Sequence, residues 1–143
     1  MWTREYSKFY PSVKPEDIWK TWIDIDNWPK WHTDLDYCKL EGEFKVGNHF
    51  ILKPKKVNAV KVTLTEVNDG QNFTDCTTFP GAKMYNTNSV EAKDNGVLLS
   101  NRVVVTGPLR WLWIKLVAKN VADTAPNEVD SLVQLCYKKN KNL

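Results

Sequence analysis

Three asparagines, Asn86, Asn88 and Asn101, are placed by their spacing to act together. Asn86 and Asn88 stand two apart in a run that alternates in polarity, residues 83–93, and Asn101 stands in the next such run, 97–106. Side chains two apart along a strand share a face. Met84, Asn86, Asn88 and Val90 therefore share one face of the first run, and Leu99, Asn101, Val103 and Val105 share one face of the second. Arg102 belongs on the solvent side, so Asn101 points inward. A buried amide without a partner costs about 1–3 kcal/mol. The three amides must either close a network among themselves and water, or orient an oxygen or nitrogen of a ligand. They can donate to an oxyanion, but an amide is no general base at neutral pH.

A proton acceptor would have to come from elsewhere, and the choice is short. Of the two histidines, His49 falls on the outer face of its run and His32 ends a short helix; both read as surface residues. Asp75 can face either way on its strand, and Glu66 lies near a bulge; neither has an identifiable partner in the sequence. No serine or cysteine stands in a nucleophile elbow, no His/Cys/carboxylate cluster has metal spacing, and no glycine-rich phosphate loop occurs. Cys38, Cys76 and Cys136 are odd in number and far apart, so they read as reduced, buried small hydrophobes. The expectation is no catalytic residue, no metal and no cofactor.

Composition narrows the class further. A chain of 143 residues, 42% hydrophobic and 26% charged, is large enough for one globular domain spanning residues 1–143. Seven tryptophans are many for this length and suit the walls and mouth of a cavity. A net charge of +3 gives no case for a nucleic-acid partner. The lysines at 53, 55, 56 and 61, and at 138, 139 and 141, read as solvated surface. Charge interrupts the first residues, so they form no secretory signal, and no run approaches the ~20 apolar residues needed to span a bilayer. A cytoplasmic setting is expected, with the oligomeric state open.

The elements that must hold these residues are set by pattern. Residues 2–10 alternate as a strand. Pro15-Glu16-Asp17 opens a helix, where proline costs nothing and acids suit the dipole; Ile18, Trp19, Trp22 and Ile23 form its apolar stripe. Asp26 is expected to cap a second short helix carrying Trp28 and Trp31. Asp69-Gly70 and Asn95-Gly96 are strong turn signals among strands at about 37–41, 48–54, 58–68, 72–79, 83–93 and 97–106, an antiparallel meander. Residues 109–139 then show helical periodicity, with Trp113, Leu116, Val117, Asn120, Val121 and Thr124 on one side and Pro126 expected to kink or split the helix. The apolar opening of that helix either packs on both sides of a bend or leaves Trp111 and Leu112 free to touch a membrane transiently, or a partner.

Several blocks, in order, resemble one known family. Pro15-Glu16-Asp17-Ile18-Trp19, Asp26-Asn27-Trp28-Pro29-Lys30-Trp31-His32, Phe50-Ile51-Leu52-Lys53-Pro54, Val62-Thr63-Leu64-Thr65-Glu66-Val67, Gly81-Ala82 and Val103-Val104-Val105-Thr106-Gly107-Pro108-Leu109 resemble the START-like polyketide cyclase/dehydrase family of the SRPBCC, birch-pollen-allergen-like superfamily. Histidine or tryptophan is common in related sequences where this chain has Asn86, Asn88 and Asn101. The resemblance implies an α+β helix-grip fold, a curved antiparallel sheet wrapped around a long C-terminal helix, with an internal pocket for an apolar molecule such as a lipid, polyketide or quinone. Read with strand and helix faces, it places Trp31, Phe50, Leu52, Val60, Val62, Met84, Asn86, Asn88, Leu99, Asn101, Val103, Trp113, Val117 and Asn120 around that pocket. Binding or carriage of the ligand is the leading expectation. A cyclase, dehydratase or hydrolase acting on a polyketide-like substrate is the alternative. A protein-interaction module of the Hsp90-activator type shares the fold, but no feature here speaks for it.

Overall fold

The computed structural model describes residues 1–141. Seven strands form one antiparallel sheet: β1 (Trp2–Pro11), β2 (Leu35–Glu41), β3 (His49–Pro54), β4 (Val60–Asn68), β5 (Asn72–Phe79), β6 (Ala82–Lys93) and β7 (Gly96–Thr106), in spatial order β1-β7-β6-β5-β4-β3-β2. Strands β2 to β7 run as a meander because short turns join each to the next, and β1 returns to pair along the whole of β7. Between β1 and β2 lie α1 (Pro15–Ile23) and a 3₁₀ helix (Ile25–Lys30). After β7 the chain enters one continuous helical rod: α2 (Arg110–Trp113), a π turn (Ile114–Ala118) and α3 (Lys119–Lys141).

Local chemistry departs from the expected pattern in five places. The 3₁₀ helix begins after Asp24, and Asp26 does not cap it; Asp26 Oδ1 accepts the Leu40 N–H at 2.8 Å and ties this segment to β2. Ile23 ends α1 exposed, leaving Ile18, Trp19 and Trp22 as the buried stripe with Thr21. Pro126 does not split α3, and the irregularity falls earlier, in the π turn. A π turn holds more residues than an α turn, so it rotates the rest of the rod about its axis. Leu116 is 59% exposed, and the buried edge of the rod is instead Ala118, Ala122, Ala125, Val129, Leu132, Val133 and Cys136. Trp111 is 64% exposed and Leu112 half-buried, so the opening of the rod is not packed on both sides.

The rod is seated at both ends. Ala118 and Ala122 pack against Met84, Val103 and Val105 on β6 and β7. Val129, Leu132, Val133 and Cys136 join the larger core with Ile18, Val97 and Leu99. Along β1, Arg4 pairs with Asp123, and Asp130 accepts from Tyr10 Oη and from Lys8 Nζ at 3.3 Å. Such exposed pairs contribute little each; they fix the azimuth of the helix more than they stabilise it. The hydrogen bond from Tyr10 holds the Asp130 carboxyl below the ordinary carboxylate value.

Where β7 becomes helix, two glycines meet. Gly107 has φ +111°, and a Cβ there would lie 2.5 Å from the Gly81 carbonyl oxygen, which accepts the Leu109 N–H at 2.9 Å. Gly107→Ala is expected to destabilise the fold by about 2 kcal/mol or more, from left-handed strain plus a backbone clash. Gly70→Ala, at φ +76° in open space, carries the strain alone and should cost about 1–2 kcal/mol. Urea denaturation of the two variants checks the difference.

Candidate functional site

Between the sheet and the rod lies a cavity of about 450 Å³, within the range of small-molecule sites. One end is closed by aromatic rings. Phe73 sits among Trp19, Trp22, Trp28 and Phe44 at centroid distances of 5.2–6.4 Å, and Trp28 stacks edge-on to Phe50 at 5.2 Å. Trp28 Nε1 donates to the Trp22 carbonyl at 3.0 Å, which locks the 3₁₀ helix over this cluster. The inward side chains of β3 and β4, with Phe73, Asp75 and Thr77 of β5, form one wall. The rod supplies the other.

The structure places eleven of the residues expected at the pocket on the cavity lining: Trp31, Phe50, Leu52, Val60, Val62, Met84, Asn86, Asn88, Asn101, Val117 and Asn120. Leu99, Val103 and Trp113 do not line it. Val103 lies under the alanine seat of the rod, where close helix–sheet contact leaves no space. Leu99, also fully buried, belongs to the core around Val97 and Leu132. Trp113 turns away, stacks on Phe79 at 4.5 Å and donates from Nε1 to the Pro80 carbonyl at 2.8 Å.

The three asparagines form a partial network. Asn101 Nδ2 donates to Asn86 Oδ1 at 2.7 Å and to Asn88 Oδ1 at 3.0 Å. The two oxygens thereby engaged leave the NH₂ groups of Asn86 and Asn88, and the Oδ1 of Asn101, as the ends available in the cavity. Antiparallel register puts Asp75 directly opposite Asn86.

Asp75 is the residue that sequence pattern left undecided. It faces the cavity, is 5% exposed, and has no hydrogen-bond or ion-pair partner among the described residues. Burial alone pushes its carboxyl up from 3.8 to about 7. Strand β5 gave no clear inner face because Phe73, Thr74, Asp75, Cys76 and Thr77 are all buried. Only the Asp75–Asn86 register, invisible without the structure, decides it. On the helix side, Thr124 lines the cavity with the stripe expected from the sequence, whereas Ala125 and Glu128, a small and a charged residue, gave no apolar signal.

At the mouth, His32 also turns inward. Its Nε2 lies 3.0 Å from Glu128 Oε1, which in turn accepts from Thr124 Oγ1 at 3.0 Å. The buried Nδ1 of His32 and Nε1 of Trp31 have no partner among the described residues. His49 stays on the outer face, off the lining. Glu66 lies beside the bulge in β4, exposed, and accepts from Asn68 Nδ2 at 2.9 Å. No cluster of three or more potential metal ligands occurs among the described residues. Cys38, Cys76 and Cys136 are buried free thiols, and burial pushes that of Cys38 up to about 12. No described helix is long and apolar enough to cross a membrane.

An ionised Asp75 opposes folding. Its folded-state value exceeds its unfolded one, so its stabilising contribution is complete below about pH 4 and is lost as pH rises through about 7. The loss is on the order of a few kcal/mol. Asp75→Asn should therefore raise the melting temperature, by more at pH 8 than at pH 5; melts at the two values check it.

Comparison with known proteins agrees with this geometry. The family model described as "Polyketide cyclase / dehydrase and lipid transport" matches residues 1–136. No curated protein sequence matches the chain. Among solved structures, Ara h 8.0201 superposes with a TM-score of 0.77 at 16% identity, covering 96% of this chain and 98% of that one. A START superfamily protein from Mycobacterium smegmatis gives 0.71 at 12%, covering 95% and 97%. Norcoclaurine synthase from Thalictrum flavum, in complex with dopamine and hydroxybenzaldehyde, gives 0.69 at 12%, covering 96% and 88%. At these identities the likeness is one of fold. With a family match over nearly its whole length, the chain belongs to the polyketide cyclase/dehydrase and lipid transport family, and its seven-stranded curved sheet gripping a C-terminal helix is the fold it shares with Ara h 8.0201 and the START superfamily protein.

Proposed function

We propose that this protein binds or carries one small apolar molecule in the cavity between sheet and helix, with the amides of Asn86 and Asn88 holding an oxygen of that molecule. The observation that carries this reading is the combination of an apolar chamber with unpaired amide donors inside it. Solid packing would need neither. A generic lipid sleeve would need no ordered polar patch. Asn101 has a different task from its neighbours: both its N–H groups hold Asn86 and Asn88 in place.

That division of labour separates two variants. Asn101→Leu strands two carbonyl oxygens, and it should lower stability by about 1–3 kcal/mol. The double variant Asn86→Ala, Asn88→Ala removes the donors to ligand and strands the N–H groups of Asn101, so it should lower stability by a similar amount and also weaken a neutral naphthyl ketone dye about 10- to 100-fold. Dye fluorescence titration and thermal melts measure both. A folded protein that shows no saturable dye binding would sink the reading. Native mass spectrometry of the protein as purified is the direct search for a carried-over molecule.

A second reading, a cyclase or dehydratase acting on a polyketide-like substrate, draws on Asp75. A carboxyl titrating near neutrality opposite an amide donor can take a proton from carbon beside a carbonyl, while the amides hold the enolate oxygen. Deuterium exchange of that proton in a bound ketone, lost in Asp75→Asn, is the expected sign. Equal exchange in the variant would remove this reading and leave the binding one standing.

A further inference from the structure

The cavity is charged in one sense only. Its acidic groups are Asp75 within, Glu128 on α3 and Asp34 at the mouth, joined by the imidazole of His32; among the described residues no lysine or arginine lines it. The chain as a whole has the opposite balance, 20 basic to 17 acidic side chains. Lys55 and Lys56 stand on the rim loop beside Val57, but they are exposed and outside the lining. Glu128 is engaged by His32 and Thr124, whereas Asp75 has no partner among the described residues.

We propose that the cavity selects an apolar molecule bearing an amine, with the ammonium group against Asp75 and the apolar body along Phe50, Leu52 and Val60. This deepens the binding reading and rests on it. A lone carboxylate in a low-dielectric chamber is costly, and a cation brought in with the ligand offsets that cost. An ammonium group carries three N–H donors. The Asp75 carboxylate can take one, and the unengaged Oδ1 of Asn101 is a second acceptor on the same lining. A fatty-acid carboxylate in the same place would meet Asp75 with like charge and no lysine or arginine to receive it, and such juxtapositions are strongly disfavoured. The lining thus selects against the anionic lipids that an apolar cavity would otherwise admit.

The test uses three probes of one skeleton: 1-naphthylmethylamine, 1-naphthalenemethanol and 1-naphthoic acid. Each is titrated calorimetrically at pH 8, where Asp75 is largely ionised. The amine should bind about tenfold or more tighter than the alcohol, and the acid should bind most weakly. In Asp75→Asn, shown by its melt to be folded, the amine should lose its advantage and bind no tighter than the alcohol does to the same variant. An acid that binds as well as the amine, or an amine advantage that survives in Asp75→Asn, would overturn the inference. Binding of the alcohol with no preference for the amine overturns the inference alone. Failure of all three probes to saturate removes the cavity-binding reading and the inference with it.

Discussion

The contact of Ala118 and Ala122 with Met84, Val103 and Val105 sets how close the C-terminal helix comes to the sheet. Small side chains let a helix approach; larger ones would lift it. Because the approach is made over β6 and β7, and because β1 holds the same helix through Arg4, Lys8 and Tyr10, the rod leans to one side of a curved surface. The cavity opens on the other side, in front of β3, β4 and β5. The aromatic cluster around Phe73 stops that space from collapsing, since its rings fill one end and brace α1 and the 3₁₀ helix against the strands. Helix position and cavity position are thus one decision.

Inside the cavity, few polar groups are present and each has a distinct place. Asn101 fixes two neighbours and leaves them single-ended, and Asp75 stands across from one of them without a partner among the described residues. Such a carboxyl lowers stability, and a protein tolerates that where something else gains. The remaining wall is aliphatic and aromatic, which keeps the local dielectric low and makes each polar group there count for more.

Most of the sheet was legible from alternation and turn residues. The observed strand ends differ from those expected by only one or two residues, because Asn-Gly, Asp-Gly and Pro-Gly pairs bound the strands sharply. The inward positions of Phe50, Leu52, Val60, Val62 and the asparagines came from the same rule. Faces that are polar on both sides defeat it, and β5 is such a strand, so Asp75 stayed ambiguous. Helix phase is harder still, since it accumulates along the rod. One π turn left Leu116 out in solvent while Val117, Asn120 and Thr124 kept the expected side, and proline, the visible breaker, split nothing. His32 looked like a surface residue because nothing in the sequence pairs it with Glu128, 96 positions away.

The π turn has a consequence for how the family can vary. Adding or removing one residue in an α-helix turns everything beyond it by about 100°. In this chain the turn at Ile114–Ala118 already absorbs such an offset, between a front end anchored by Trp113 to the β5–β6 turn and a rear end anchored by alanines to the sheet. Loss of a single codon in that stretch would let the helix rewind to regular α geometry, at the expense of one anchor. If the front end held, the rear would present a different stripe to the chamber, replacing Ala125, Glu128 and Leu132 together. A one-residue deletion there would re-line the helix side of the cavity in one step, while every strand of the sheet kept its sequence.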